Sequence, residues 1–351
     1  MKIVFVTDTH ARAKNPISRK DDFQDTVMKK LSWVVDYANS IDATIIHGGD
    51  WLQRPDVSPN LIGMLGKILM KAKHPIYSVI GNHDIYSYNL DTFERTPLSI
   101  LTKCGIITQI PQNVLLEIDE NVFLKGVSAH PLLDKNGRTE DYKISYEESE
   151  GRDGMYILVV HGFLTDHDWG PNVPHTKIDD TIEGNVADFV LTGHEHSGYG
   201  IIEKYDGPHK ISYCNPGSLL RVTAGVGDMR DEVRVAVIDT EADTIELANV
   251  DIAKLADEVL DRDKLVLEKE HAKTLEMFSE KAQQISKNFL LEENVEQKPI
   301  QDLLDEYIKA LQEDEELKEL ISSETILEAH NLLSEAELAD QESRKKRRAD
   351  E

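Results

Sequence analysis

The chain has 351 residues, 40% of them hydrophobic and 30% charged, which is enough apolar material for one large core with an appended module. Its formal net charge of −26 argues against a protein built chiefly to neutralise nucleic-acid phosphates, although residues 251–351, with 28 acidic against 15 basic side chains, carry half of that excess. No apolar run reaches the roughly 18 residues of a membrane span, the N-terminus lacks the pattern of a secretory signal, and two cysteines, Cys104 and Cys214, exclude a disulfide framework and suit a reducing cytoplasm.

The pattern predicts a first strand over Lys2–Thr7, ending at Asp8-Thr9-His10. A helix over Asp22–Asn39 follows, with Met28, Leu31, Val34, Val35 and Ala38 at helical spacing. A strand over Ala43–His47 runs into Gly48-Gly49-Asp50, and a helix over Pro59–Ala72 leads to the strand Ile76–Ile80, which ends at Gly81-Asn82-His83-Asp84. A helix over Pro97–Cys104 and strands over Val114–Ile118 and Val122–Val127 come next. The strand Tyr156–His161 closes on His161-Gly162, and Phe189–Thr192 closes on Gly193-His194-Glu195-His196. Strands over Ile211–Asn215, Val233–Asp239 and Ile245–Val250 complete an α/β domain spanning residues 1–250.

From residue 251 the composition changes: the chain becomes highly charged, has no glycine and has one proline, Pro299. Leu275, Phe278, Ala282, Ile285 and Phe289 form a narrow apolar seam at helical spacing, and Leu303, Leu304, Tyr307, Ile308 and Leu311 form a second. Residues 251–343 therefore read as a charged helical tail, and residues 344–351 as a disordered end with the basic run Lys345-Lys346-Arg347-Arg348.

Singly, the five motifs are common turn sequences. In order, each where an apolar strand ends, they point to one site, because strand ends hold loops in fixed positions. Asp carboxylates, imidazoles and an Asn carbonyl make a mixed oxygen and nitrogen donor set suited to Mn²⁺, Fe²⁺ or Zn²⁺, whereas Ca²⁺ takes oxygen donors. Residues separated by one in an extended segment point the same way, so Asp8 with His10, and His194 with His196, can each face one site. The Asp50 carboxylate has two oxygens and can bridge two ions. His130 also follows a strand and is the alternative to His161; His47 reads as structural, Glu195 as facing solvent, and Asp166, His167, Asp168 and His175 as a surface loop, with contact to substrate as the alternative.

Together these motifs resemble the calcineurin-like metallophosphoesterase superfamily over about residues 1–220. That resemblance implies an α/β fold, a four-layer αββα sandwich with the site at the strand ends. It implies two divalent metal ions, most often Mn²⁺, one held by Asp8, His10, Asp50 and His196 and the other by Asp50, Asn82, His161 and His194. It also implies that His83, oriented by Asp84, contacts the scissile phosphate and helps protonate the leaving oxygen, with water as nucleophile and no covalent phospho-enzyme.

Within the superfamily the chain is similar to the SbcD/Mre-type DNA repair exonuclease subunits, through Asp8-x-His10 near the start, Gly49-Asp50-Trp51-Leu52, the final Asp84 of the third motif, and Asn215-Pro216-Gly217-Ser218-Leu219-Leu220-Arg221. This implies a DNA exo- or endonuclease acting in recombination, repair or replication, partnered through its tail with an SbcC-type coiled-coil ATPase and able to form a homodimer. The α/β capping domain usual in those nucleases has no strand-rich counterpart after Val250. A phosphodiesterase or phosphatase acting on cyclic or dinucleotide substrates is the alternative, and the acidic charge favours it. A non-catalytic scaffold is disfavoured by the complete donor set.

Overall fold

Alternation along the strands decides which face of each sheet is buried against what. The computed structural model describes residues 1–264 except 136, 171, 223–228 and 262, and the tail expected over 265–351 lies outside the described residues. The first sheet contains β1 (Lys2–Val6), β2 (Ala43–His47), β3 (Ile76–Ser78), β4 (Thr108–Gln109), β13 (Arg234–Asp239) and β14 (Thr244–Asn249), in the spatial order β14-β13-β1-β2-β3-β4. The second contains β5 (Leu115–Asp119), β6 (Val122–Val127), β7 (Met155–Gly162), β10 (Phe189–His194), β11 (Gly200–Asp206) and β12 (His209–Asn215), in the order β11-β12-β10-β7-β6-β5. A two-stranded ribbon, β8 (Leu164–Thr165) with β9 (Thr176–Lys177), stands apart.

The central strands β1, β2 and β3 run parallel to one another, as do β6, β7, β10 and β12, so their carboxyl ends within each sheet lie on one side. In β1, Ile3 and Phe5 enter the core between the sheets, while Val4 and Val6 join the core under the helices. In β7, Ile157 and Val159 face the same inter-sheet core, while Leu158 and Val160 face the opposite layer. A one-residue slip in either strand would exchange these sets, so register is strongly specified.

Helix α1 (Phe23–Ser40) starts where the Asp22 side chain accepts from the Asp25 amide at 3.0 Å, and buries Val27, Leu31, Val34, Val35 and Ala38 on the first sheet. Helix α2 (Pro59–Leu69) has Ser58 as its cap and Pro59 in its first turn, and buries Leu61, Ile62 and Leu65. The outer face of the second sheet is covered more thinly, by the short helix Tyr146–Ser149 and the 3₁₀ turns Glu140–Tyr142 and Ile178–Thr181. The architecture is the expected α/β sandwich of two large mixed sheets, with this irregular covering as its fourth layer.

Several boundaries differ from the sequence reading. The third helix is Ser99–Lys103 rather than Pro97–Cys104, and β11 had not been expected. Contacts with the α/β domain continue past residue 250, where the appended module was expected to begin. Lys20 N–H donates to Val259 O, Asp261 N–H donates to Ser18 O, and Ala256, Val259 and Leu260 are buried. Residues 251–261 thus belong with the α/β domain. Among the described residues no helix is long and apolar enough to cross a membrane.

Candidate metal centre

The loops leaving β1 and β2 stay paired after the strands end. Asp8 N–H donates to Gly49 O at 3.1 Å, His10 N–H to Asp50 O at 2.9 Å, and Ala11 N–H to Trp51 O at 2.8 Å. Asp8 (φ 53°), His10 (φ 46°) and Asp50 (φ 55°) all adopt left-handed backbone, and so does His194 (φ 80°). Such conformations are uncommon outside glycine and persist only where the surroundings over-determine them, as at ligand-binding sites. Convergence therefore does not come from extended alternation, as the sequence reading supposed, but from kinks that turn the side chains inward. His194 and His196 also separate, each joining a different cluster.

Among the described residues, three groups each bring their donor atoms within 4.8 Å of one another: Asp8, His10 and His196; His10, Asp50 and His83; and Asp50, His161 and His194. Asp50 joins the clusters. Its Oδ2 is 3.6 Å from His10 Nε2 and 3.3 Å from His161 Nε2, while its Oδ1 accepts from the His83 amide at 2.9 Å. His161 donates from Nδ1 to Gly48 O at 2.7 Å, which turns Nε2 toward Asp50 and toward Asn82 Oδ1, 3.1 Å away. Asp8 is fully buried; its carboxylate accepts from Thr7 Oγ1 at 2.8 Å and from the His194 amide at 3.0 Å, tying the first sheet's loop to the second sheet.

The electrostatics favour cations. Burial pushes His10 well below its usual pKa and takes His194 down to about 4, assisted by the neighbouring His161 charge, so both offer lone pairs. Burial opposes charge on His161 too, but the Asp50 carboxylate, Asp8 and the Gly48 carbonyl outweigh it and raise that ring to about 10. Burial likewise works against Asp50 ionising, yet His161, His10 and His83 hold it well below the usual carboxylate range. The donor set also suits an ion chemically. His10 Nε2 lies 2.9 Å from His196 Nε2, 3.6 Å from Asp50 Oδ2 and 3.8 Å from Asp8 Oδ1, so nitrogen and carboxylate donors face one another across a buried space.

Asp84 departs from its expected role. Its buried carboxylate accepts from the amides of Leu52 at 3.0 Å, Gly81 at 3.0 Å and Trp51 at 3.3 Å, fastening the Asp50 loop to the Asn82 loop. Burial and the Asp50 charge raise it to about 7. The ring of His83 is oriented instead by Gln53, whose carbonyl receives Nδ1–H at 2.8 Å. Nothing in the sequence marks that contact, because it uses backbone.

The remaining candidates sort by position. His130 lies 3.4 Å from Asp141 and joins none of the three donor groups, whereas His161 lies with Asp50 and His194. His47 stacks on Trp51 at 3.6 Å and bonds Thr9 Oγ1 at 2.9 Å, a structural brace. Glu195 does not face solvent idly; it closes its turn by accepting from the amides of Ser197 at 2.9 Å and Gly198 at 2.8 Å. Arg230, not singled out from sequence, donates to the carbonyls of His196 and Ser218, and Leu219 N–H donates to Thr7 O at 2.9 Å, anchoring the Asn215–Arg221 loop behind the site.

A family model described as Calcineurin-like phosphoesterase matches residues 1–198. No curated protein matches the chain. Among solved structures, the protein TT1561 of Thermus thermophilus is 14% identical, covers 71% of this chain and 98% of its own, and has a TM-score of 0.43. A structure described as a novel archaeal phosphodiesterase is 14% identical, covering 71% of this chain and all of its own at a TM-score of 0.36. The calcineurin-like phosphoesterase YfkN from Bacillus subtilis is 12% identical, covering 74% and 92% at a TM-score of 0.39.

Proposed function

Because the chain belongs to the calcineurin-like phosphoesterase family, we propose that this site holds two divalent cations and hydrolyses phosphodiesters. The observation carrying the proposal is the Asp50 carboxylate, with one oxygen between His10 and His161 and a donor group on either side. In this reading Asp8, His10, Asp50 and His196 hold one ion, and Asp50, Asn82, His161 and His194 hold the other. Ions bound there would neutralise phosphate charge and lower the pKa of water at neutral pH. His83 is half-buried, with Nδ1–H committed to Gln53, so its Nε2 is the atom that meets the leaving oxygen. Supplying a proton from Nε2 then requires the doubly protonated ring.

The finer reading is a manganese-dependent DNA nuclease of the SbcD/Mre type, working with a coiled-coil ATPase that the tail engages. It is supported by Trp51, buried behind Asp50, and by the Asn215–Arg221 loop with buried Arg221. A small nucleotide diester is the second reading, favoured by the net charge of −26 and by the exposed Asp166 and Asp168. Mn²⁺-dependent digestion of end-labelled linear DNA, measured beside bis(p-nitrophenyl) phosphate and a phosphomonoester, separates them. DNA degradation stimulated by the ATPase supports the nuclease. Turnover of the small diester alone, with the ATPase present, supports the second reading, and turnover of neither diester overturns both.

A further inference from the structure

A line of aromatic rings leads out of the metal centre. The His194 ring meets Phe163 edge-on, with centroids 5.8 Å apart, and Phe163 meets Trp169 at 5.4 Å, tilted by 48°. His167 adds a fourth ring 5.3 Å from Trp169. Phe163 is half-buried, but Trp169 is 44% exposed. Exposed apolar side chains are common in this chain, but the rings of Phe163 and Trp169 are linked in series to a donor of the site, His194.

The segment is also held in place. Asp134 closes its base, accepting from Phe163 N–H at 2.7 Å, Thr176 Oγ1 at 2.8 Å and Tyr142 OH at 2.6 Å. The parallel pairing of β8 with β9 joins its two ends. Within it, Thr165 Oγ1 donates to His167 O, Gly170 N–H donates to Asp168 Oδ1 at 2.6 Å, and Trp169 N–H donates to His175 Nε2 at 3.3 Å. An aromatic side chain ordered before ligand arrives loses little entropy on contact, which is what a recognition surface needs.

The local charge disfavours a phosphate. Asp166 and Asp168, three and one positions before Trp169, are both exposed, with His167 2.6 Å from the first and His175 3.4 Å from the second, so the phosphate belongs at the cations and a neutral group belongs here. Carboxylates beside an aromatic face can accept hydrogen bonds from the ring and exocyclic N–H groups of a base. Resting on the phosphodiesterase reading above, we propose that Trp169, backed by Phe163, is the stacking platform for a nucleobase of the substrate. The substrate class is then a phosphodiester that carries a base next to the scissile phosphate, in a small nucleotide or at a strand end.

The test compares Mn²⁺-loaded full-length chain, wild type against Trp169→Ala and Trp169→Tyr, on a thymidine dinucleoside monophosphate and on the same diester with one abasic residue. A short oligothymidylate distinguishes polymer from small diester. The preference of kcat/KM for base-bearing over abasic substrate should fall by about 5- to 150-fold in Trp169→Ala, with the loss in KM, and recover in Trp169→Tyr. An equal effect on both diesters, or no effect, overturns the proposal. Should the wild type cleave neither diester, the phosphodiesterase reading fails by itself. The platform is then judged by fluorescence: quenching by thymidine monophosphate that disappears in Trp169→Tyr supports it, and quenching identical in both proteins overturns it.

Discussion

The two sheets furnish the centre in different ways. The first delivers both carboxylates, Asp8 and Asp50, together with His10, Asn82 and His83, all from loops beyond the strands, three of them on left-handed backbone. The second delivers imidazoles: His161 inside β7, His194 as the last residue of β10, and His196 two residues on. Anions thus come from a kinked, cross-braced framework, whereas the second sheet's imidazoles come from or just beyond regular strands, with left-handed backbone at His194 alone of those three. The contrast shows where conformational energy is invested. Burying two carboxylates side by side is costly unless cations arrive, and it is on that side that backbone strain and hydrogen bonds accumulate.

The largest break in this asymmetry is Asp50→Asn, which keeps the shape and removes the bridging charge. It should cost roughly 10⁴-fold or more in kcat, the several kcal/mol that ion stabilisation supplies, and bound metal measured by elemental analysis should fall with it. Retention of both ions would mean that Asp50 is not the bridge. Next is His83→Ala, expected to lower kcat by about 10²–10⁴-fold while leaving metal content intact. Lost metal in that variant would move His83 into the ligand set, as its proximity to His10 and Asp50 allows.

Gly81→Ala probes the framework itself, because a Cβ there would run into the Asp50 carboxylate and amide. Unfolding in urea should show a loss of about 1–3 kcal/mol, accompanied by weaker ion binding; unaltered binding would show that the Asp50 loop yields without disturbing its oxygens. The mildest test is of the second sheet. Since His161 is raised to about 10 in the ion-free site, an ion must displace its proton. Affinity should therefore increase with pH below that value, about tenfold per unit, and calorimetry near neutral pH in buffers of different ionisation heat should show one proton released. Absence of proton release would mean that His161 binds the ion already neutral.

Much of this was legible from residue order. The strands Lys2–Val6, Ala43–His47, Ile76–Ser78, Met155–Gly162 and Phe189–His194 fall where apolar runs predicted them, and five polar motifs stood where those runs stopped. What escaped the sequence depends on backbone geometry and on edges. Left-handed φ at Asp8, His10 and Asp50 leaves no trace in residue type, since Asp and His also occur in ordinary turns. Asp84 was assigned to His83 because the two are adjacent, whereas its carboxylate turns to the amides of Trp51, Leu52 and Gly81. Strand β11 was missed because it is a half-exposed edge with Glu203 and Lys204 in its middle, paired on one side only, to β12. Trp169 was not singled out among its neighbours Asp166, His167 and Asp168, because its link to His194 runs through Phe163, six positions earlier in the chain.

The divided carboxyl group of Asp50 has one more consequence. With one oxygen on the His83 amide and the other aimed at the ion positions, filling the centre and seating His83 become a single thermodynamic event. Deuterium uptake at that amide should slow as cations are titrated in, so one exchangeable hydrogen would count loaded molecules without any turnover being measured.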